Sequence, residues 1–144
     1  MELSSKVRYA LLALLELANH YEQGDLLQID QIAASRQISE RYLAQLLMRL
    51  RQCSLVHSQR GAKGGYLLAR EPQQIRLLEV LACLEGTKNL EQGQTADQTV
   101  ADLAIQEVWQ EANTAAIAVW QGYTLQDLRE KGDQSQLSNP MYFI

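Results

Sequence analysis

The chain has 144 residues, 47% of them hydrophobic, which suffices for one compact domain with an extra element but not for two independent enzyme domains. No apolar run approaches the roughly 18 uncharged residues of a membrane span, and the N-terminus lacks a basic leader, so we expect a cytoplasmic protein without a membrane partner. The net charge of −4 argues against a polyanionic partner only as an average, because the charge is unevenly distributed along the chain.

Three helices are predicted in the first part of the chain. Apolar residues recur at helical spacing over residues 5–21, and Gly24 follows where this helix ends. A second helix is predicted over residues 29–36, and Ser39 is well suited to cap a third over residues 40–52. The tight connection between the second and third helices is typical of a helix-turn-helix.

The third predicted helix has two distinct faces. Leucines at positions 43, 46, 47 and 50 share one side. The opposite side carries Arg41, Gln45, Met48, Arg49 and Gln52. Arg can bond guanine and Gln can bond adenine in a bidentate manner, so this composition favours contact with a major groove. An ordinary amphipathic helix with one solvent-exposed face explains the same pattern. This helix alone therefore does not distinguish a DNA-binding protein from other helical proteins.

A β-hairpin is predicted next. Residues 55–59 and 66–69 form its strands, and residues 60–65 form a glycine-rich turn that carries Arg60 and Lys63. Such a hairpin is typical of a wing whose basic tip enters a minor groove. The turn fits neither a Walker A nor a dinucleotide-binding loop.

The charge distribution supports a DNA-facing surface in this region. Residues 31–70 hold seven Lys and Arg against one Glu, whereas residues 77–144 hold three against ten Asp and Glu. The local positive charge is what phosphate contact requires, and the acidic remainder is expected to face away from DNA.

Residues 100–121 lack Pro and Gly and are predicted to form one long helix. Its apolar residues form two flanks. One flank has Val100, Ala104, Val108, Ala115 and Val119, and the other has Ile105, Trp109, Ala112, Ala116 and Trp120. Together they cover roughly 160° of the circumference, more than the ~100° stripe that packing on a single core requires. The same helix of a two-fold-related copy is the economical second neighbour, although both flanks could also pack inside one monomer. The residues predicted at this dimer interface are Val100, Ala104, Val108, Trp109, Ala112, Ala116 and Trp120.

The predicted fold is mainly α with a small β-hairpin, a winged helix-turn-helix followed by a long dimerisation helix. Residues 1–76 form the DNA-binding region, and residues 77–132 form a linker helix, a polar loop, the long helix and a short helix. Thr124 and Asp127 are expected to cap that short helix, which ends near Gly132. The tail, residues 133–144, has an apolar end that either docks on the domain or contacts another protein.

Several segments together resemble the Rrf2 family of bacterial transcription regulators. They are residues 6–10 (KVRYA), 32–33 (IA), 38–47 (ISERYLAQLL), 60–70 (RGAKGGYLLAR) and 124–128 (TLQDL), with Trp109. The resemblance covers nearly the whole chain to about residue 130. It implies a homodimer on an imperfect palindrome of double-stranded DNA, with the third helix in the major groove, the wing in the minor groove and the long helix at the dimer interface.

The resemblance also implies roles for individual residues. It implies base contacts from Tyr42 and Gln45, a minor-groove contact from Arg60, and phosphate contacts from Lys6, Tyr9, Ser39 and Arg51. The residue pattern adds Arg41, Arg49 and Lys63 to the predicted DNA-binding set. Some relatives carry a glutamate at the position of Ala44, so the operator sequence cannot be copied from them.

The chain departs from the family in its cysteines. Many relatives bind an iron–sulfur cluster through three cysteines before the long helix, but no cysteine lies between Gly86 and Leu103, and Gln106 replaces a histidine. No cofactor is therefore expected in the usual mode. The first interpretation of Cys53 and Cys83 is that they are small buried residues, kept as thiols in a reducing compartment. The alternative is a [2Fe-2S] cluster that shares the four cysteines of a dimer.

The sequence thus predicts a DNA-binding regulator that responds to a redox, iron–sulfur or metabolic signal through a small-molecule or protein effector. The polar loop at residues 87–99 either closes over a ligand or is a solvated linker. The main alternative is a winged-helix adaptor that binds protein and not DNA. An enzyme is not expected, because Cys53 and His57 have no orienting carboxylate nearby in sequence.

Overall fold

The computed structural model describes residues 2–86 and 99–138, with side chains described to residue 135. Its elements are α1 (Ser5–Asn19), α2 (Ile29–Arg36), α3 (Glu40–Gln52), β1 (Val56–Gln59), β2 (Gly65–Leu68), a short 3-10 turn (Pro72–Gln74), α4 (Leu77–Glu85), α5 (Val100–Gly122) and α6 (Leu125–Ser138). The predicted fold class, mainly α with one small hairpin, is confirmed.

Two polar caps and one left-handed residue define the helix-turn-helix. The Ser39 hydroxyl accepts a hydrogen bond from the Tyr42 amide at 3.3 Å, as predicted for the cap of α3. The Ser4 hydroxyl caps α1 in the same way through Val7. Gln37 ends α2 with a φ of 56°, which reverses the chain within a few residues and sets α3 across α2.

A single apolar core lies under α3. It joins α1, α2, α3 and α4 to the base of the hairpin, and Leu14, Ile32, Leu47 and Leu50 are completely buried in it. The leucine face of α3 packs on α1, so the opposite face must point to solvent. The core therefore determines which residues of α3 are available to a partner.

The hairpin is held against the body of the domain by a third segment. Val56 pairs with Leu68 and Gln59 with Gly65 in an antiparallel register. Leu27 adds an isolated bridge to Tyr66, with two backbone hydrogen bonds of 3.0 and 2.8 Å. A Cβ on Gly65 would lie 2.6 Å from the Leu27 carbonyl oxygen, and Gly65 has a φ of +154°. This close approach requires glycine.

An ion pair links the segment that follows the wing to α4. The Arg70 guanidinium lies 2.8 Å from the Glu79 carboxylate. Burial raises the pKa of Glu79, but hydrogen bonds from the Arg70 side chain and the Arg76 amide outweigh it, so its pKa lies below the ordinary 4.5. The pair joins the exit of the wing to the first turn of α4.

α5 and α6 complete the described chain. A bridge between Arg76 and Thr124 ties the start of α4 to the turn between α5 and α6. Thr124 and Asp127 exchange the predicted capping hydrogen bonds, at 3.1 and 2.9 Å. The predicted end of this helix near Gly132 is wrong, because α6 continues to Ser138. No helix among residues 2–86 and 99–138 is long and apolar enough to cross a membrane.

Candidate nucleic-acid interface

The outward face of α3 exposes polar side chains beside one large apolar one. Arg41 and Gln45 are exposed, and Met48 on the same face of the helix is 53% exposed. Arg51 is also exposed, and its Nη1 donates a hydrogen bond of 3.1 Å to the Ser58 hydroxyl on β1. α3 and the wing are therefore connected by a side-chain contact as well as by the chain.

The tip of the wing is exposed and anchored. Arg60 and Lys63 are both exposed there, and the Gln28 side-chain amide donates to the Ala62 carbonyl oxygen at 3.3 Å. Gln28 could not be predicted as an anchor from the sequence, because a single glutamine carries no recognisable pattern. We use the name α3–wing surface for the exposed side chains on α3 and at the wing tip, namely Arg41, Gln45, Met48, Arg60 and Lys63.

The start of α1 lies beside the start of α3. The rings of Tyr9 and Tyr42 meet edge to face, with centroids 5.7 Å apart, and both residues are half-buried. Lys6 is exposed one turn before Tyr9. The Arg8 guanidinium lies 5.4 Å from the Tyr9 ring centroid. Arg8, which is not among the residues predicted to bind DNA, thus adds a positive charge at this edge.

Arg49 occupies a different position from the other predicted DNA-binding residues. Its Nε donates to the Cys83 carbonyl oxygen at 3.1 Å, and its Nη1 donates to Gln52 at 3.3 Å. The guanidinium therefore holds α3 against α4. Ser39 is exposed at the N-terminus of α3, where its hydroxyl already accepts the capping bond.

Cys53 and Cys83 are joined by a disulfide. Cys53 is the C-cap of α3 and Cys83 lies in α4, with their Cα atoms 6.1 Å apart. The expectation of two thiols is thus wrong for this form, because packing of α3 on α4 brings the two side chains together. Cys83 is buried, as expected, and Cys53 is half-buried. The pairing also leaves no free thiol beside His57, which is exposed on β1.

In the disulfide form, the chain offers no thiolate ligand to an iron–sulfur cluster. The chain has two cysteines, and both sulfurs are bonded to each other in the disulfide. Among residues 2–86 and 99–138, no three His, Cys, Asp or Glu side chains are grouped in a way that could hold a metal ion. Much of the polar loop predicted either to cover a ligand or to be a linker lies outside the described residues, as does the end of the tail.

α5 leaves an apolar flank uncovered in the single chain. None of its 23 residues is buried, and Val100, Val108 and Trp109 are 85%, 67% and 44% exposed. Ala104 and Ala112 are also exposed, whereas Ala116 is half-buried. Trp120 packs against the core. Trp109 and Trp120 line a cavity of about 430 Å³ between α1, α4 and α5. In the described chain, the flank on Val100, Ala104 and Val108 has no packing partner.

Comparison with known proteins agrees with this architecture. The sequence model of the Rrf2 family, described as "Iron-dependent Transcriptional regulator", matches residues 3–131. The chain is 34% identical over 146 residues to the HTH-type transcriptional regulator CymR of Bacillus subtilis, with 99% of each protein covered.

Solved structures give the same relationship. The structure of CymR, the global cysteine regulator of B. subtilis, is similar with a TM-score of 0.79 and 34% identity, covering 91% of this chain and 98% of that one. T. potens IscR is similar with a TM-score of 0.77 and 32% identity, covering 94% and 91%. Both the sequence and the fold place this chain in the Rrf2 family of transcriptional regulators.

Proposed function

We propose that this regulator is a homodimer that binds an imperfect palindrome of double-stranded DNA in the cytoplasm. The observation that carries the proposal is the α3–wing surface, where Arg41, Gln45, Arg60 and Lys63 are all exposed on connected elements. An exposed Arg and Gln on one helix face suit the edges of guanine and adenine in a major groove. The basic wing tip suits the narrow, strongly negative minor groove beside it.

Phosphate contacts would hold the domain in position. Lys6, Arg51 and the half-buried Tyr9 border the α3–wing surface, and the Ser39 end of α3 points the positive end of the helix dipole outward. Tyr42 is at the same edge and would contact a base or its sugar. Arg49 would act by keeping α3 seated on α4, because its guanidinium donates to Cys83.

The dimer would form through α5. Four aliphatic side chains of α5 are largely exposed: Val100 (85%), Ile105 (67%), Val108 (67%) and Val119 (58%). Such exposure on one helix is unusual for a monomeric protein. A two-fold-related α5 supplies a complementary apolar flank by symmetry. The same axis would place two α3–wing surfaces on successive turns of a duplex, so the operator would be a palindrome.

Selection from genomic DNA tests the DNA-binding part of the proposal. Fragments retained by the purified full chain are expected to share a palindromic sequence, and Gln45→Ala is expected to relax preference at one base position in each half-site. Arg60→Ala should weaken binding, whereas Lys131→Ala should not, since it removes the same charge from the exposed surface of α6. Retention of proteins but of no DNA fragment would favour an adaptor and contradict the proposal.

Light scattering tests the dimer. Val108→Asp would place two unpaired carboxylates in the proposed interface and is expected to give monomers, because an unpaired buried charge costs several kcal/mol. Gln110→Asp adds the same charge on the opposite side of α5 and should leave the dimer intact. A monomeric wild-type protein at the concentration that saturates DNA would refute the arrangement.

We further propose that regulation does not use an iron–sulfur cluster. The carrying observation is the cysteine set: the chain has two cysteines, they lie close enough to pair within one chain, and none lies between Gly86 and Leu103. Reduced protein incubated anaerobically with ferrous iron and sulfide is expected to show no charge-transfer absorption after desalting. Stable absorption with stoichiometric iron and acid-labile sulfide would contradict this.

A further inference from the structure

The disulfide lies where the two DNA-contacting elements meet. Cys53 is the C-cap of α3, and β1 of the wing begins three residues later at Val56. The Leu55 amide donates to the Leu50 carbonyl oxygen at 3.0 Å, and the Leu55 carbonyl accepts from Ala69 on the returning side of the hairpin at 3.0 Å. A covalent bond at Cys53 therefore fixes the junction between α3 and the wing.

The other end of the disulfide lies on the element that leads to α5. Cys83 is in α4, which packs on α1, α3 and α5. Besides the disulfide, the α3–α4 contact here includes the hydrogen bond from Arg49 to the Cys83 carbonyl. The cross-link thus joins the DNA-contacting half of the chain to the half that carries the proposed dimer helix.

We propose that Cys53 and Cys83 are a reversible redox couple, and that the disulfide form binds operator DNA more tightly than the dithiol form. The inference rests on the proposed DNA-binding function. In the disulfide form, Arg41, Gln45 and Arg60 are already exposed on elements whose junction is fixed. Reduction removes the covalent restraint, so α3 and the wing regain freedom that must be lost again on DNA.

The chemistry is thiol–disulfide exchange with a small-molecule disulfide such as oxidised glutathione. The thiolate of Cys53, the more exposed of the two cysteines, attacks the small disulfide and releases one reduced thiol, leaving a mixed disulfide on Cys53. The Cys83 thiolate then attacks the Cys53 sulfur and releases the second. Two protein thiols are oxidised and one small disulfide is reduced to two thiols, and excess small thiol reverses both steps.

The inference is tested by measuring the Kd of the full chain for its selected operator in buffers of different glutathione ratio. Alkylation with iodoacetamide followed by mass spectrometry reports the fraction of disulfide in each buffer. We expect the disulfide form to have a Kd about tenfold lower than the dithiol form, within the usual range of coupling between two sites. Equal Kd values, or a protein that remains fully reduced in oxidised glutathione, would overturn the inference.

The matched control is Cys53→Ala/Cys83→Ala, which is expected to bind with the Kd of the dithiol form in every buffer. A Kd of this variant that still follows the glutathione ratio would place the effect elsewhere and overturn the inference. Circular dichroism of the reduced wild-type chain must retain the helix content of the oxidised chain. Loss of helix content on reduction would show that the reduced chain unfolds, and this result would also overturn the inference.

The reciprocal measurement uses the same two forms. Saturating operator is expected to raise the value of [GSH]²/[GSSG] at half-reduction, by about the square root of the Kd ratio for each of the two disulfides of an operator-bound dimer, since coupling between two equilibria is mutual. If oxidised and reduced chains bind operator equally and with a steep salt dependence, only the redox inference fails. If neither form binds any duplex, the proposed function fails and the redox inference fails with it.

Discussion

Replacing Lys6 by alanine tests phosphate contact and dimer symmetry in one experiment. Lys6 is exposed on the first turn of α1, one turn from Tyr9, whose ring meets Tyr42 of α3. The slope of log K against log salt falls by about 0.9 for each phosphate contact that is lost. A two-fold dimer loses two such contacts, so the slope is expected to fall by about 1.8.

This change of slope has a measurable size. Between about 50 and 200 mM KCl, the ratio of mutant to wild-type Kd should shrink about twelvefold if two contacts are lost, but only about 3.5-fold if one is lost. Fluorescence anisotropy with a labelled operator at four or more salt concentrations gives both slopes. Lys131→Ala is the control and should retain the wild-type slope. An unchanged slope for Lys6→Ala would refute the phosphate contact, and a fall near 0.9 would refute the symmetric dimer.

Three further predictions concern the wing, the disulfide and the ion pair. Gly65→Ala should abolish operator binding while circular dichroism stays the same, because the new methyl would displace the wing from Leu27. Reduction should lower the free energy of unfolding by about 3.6 kcal/mol for a cross-link spanning 30 residues. With a urea slope of about 2 kcal/mol per M and a fixed protein concentration, this lowers the urea midpoint by about 1.8 M. A shift under about 0.3 M would contradict the prediction. Glu79→Gln should destabilise the fold by under about 1 kcal/mol at neutral pH, since the pair with Arg70 is partly exposed. Because the pKa of Glu79 is lowered in the folded state, this difference in the free energy of unfolding is present above pH 4.5 and is lost as the pH falls through the pKa of the folded state. A difference that stays constant down to acid pH would contradict the prediction.

The two helices of the helix-turn-helix could be predicted closely from the sequence. Ile29–Arg36 and Glu40–Gln52 have the predicted bounds, because apolar periodicity and a serine cap both act within a few residues. α1 ends at Asn19, two residues before the predicted end at Tyr21. The exposure of Arg41 and Gln45 follows from the same periodicity, since the leucines opposite them must be buried.

Features that depend on distant residues could not be predicted. Leu27 pairs with Tyr66 through one isolated bridge, which leaves no alternating pattern in the sequence. Cys53 and Cys83 are 30 residues apart, and only the packing of α3 on α4 brings them together. α6 continues past Gly132, because one glycine costs a helix only about 1 kcal/mol.

The described structure also separates the two flanks that were predicted on the long helix. Ala116 and Trp120 lie toward the body of their own chain, whereas Val100, Ala104 and Val108 face outward. Helical periodicity places residues on a flank but does not say which flank its own domain covers. That distinction required the position of α4.

Hydroxyl-radical footprinting of the selected operator tests most directly whether two α3–wing surfaces contact one duplex. The account predicts two protected patches related by the symmetry of the palindrome, with centres one helical turn of about 10 base pairs, or a multiple of it, apart. Arg60→Ala should remove the minor-groove protection from both patches together. A single asymmetric patch, or protection that Arg60→Ala leaves unchanged, would contradict the account.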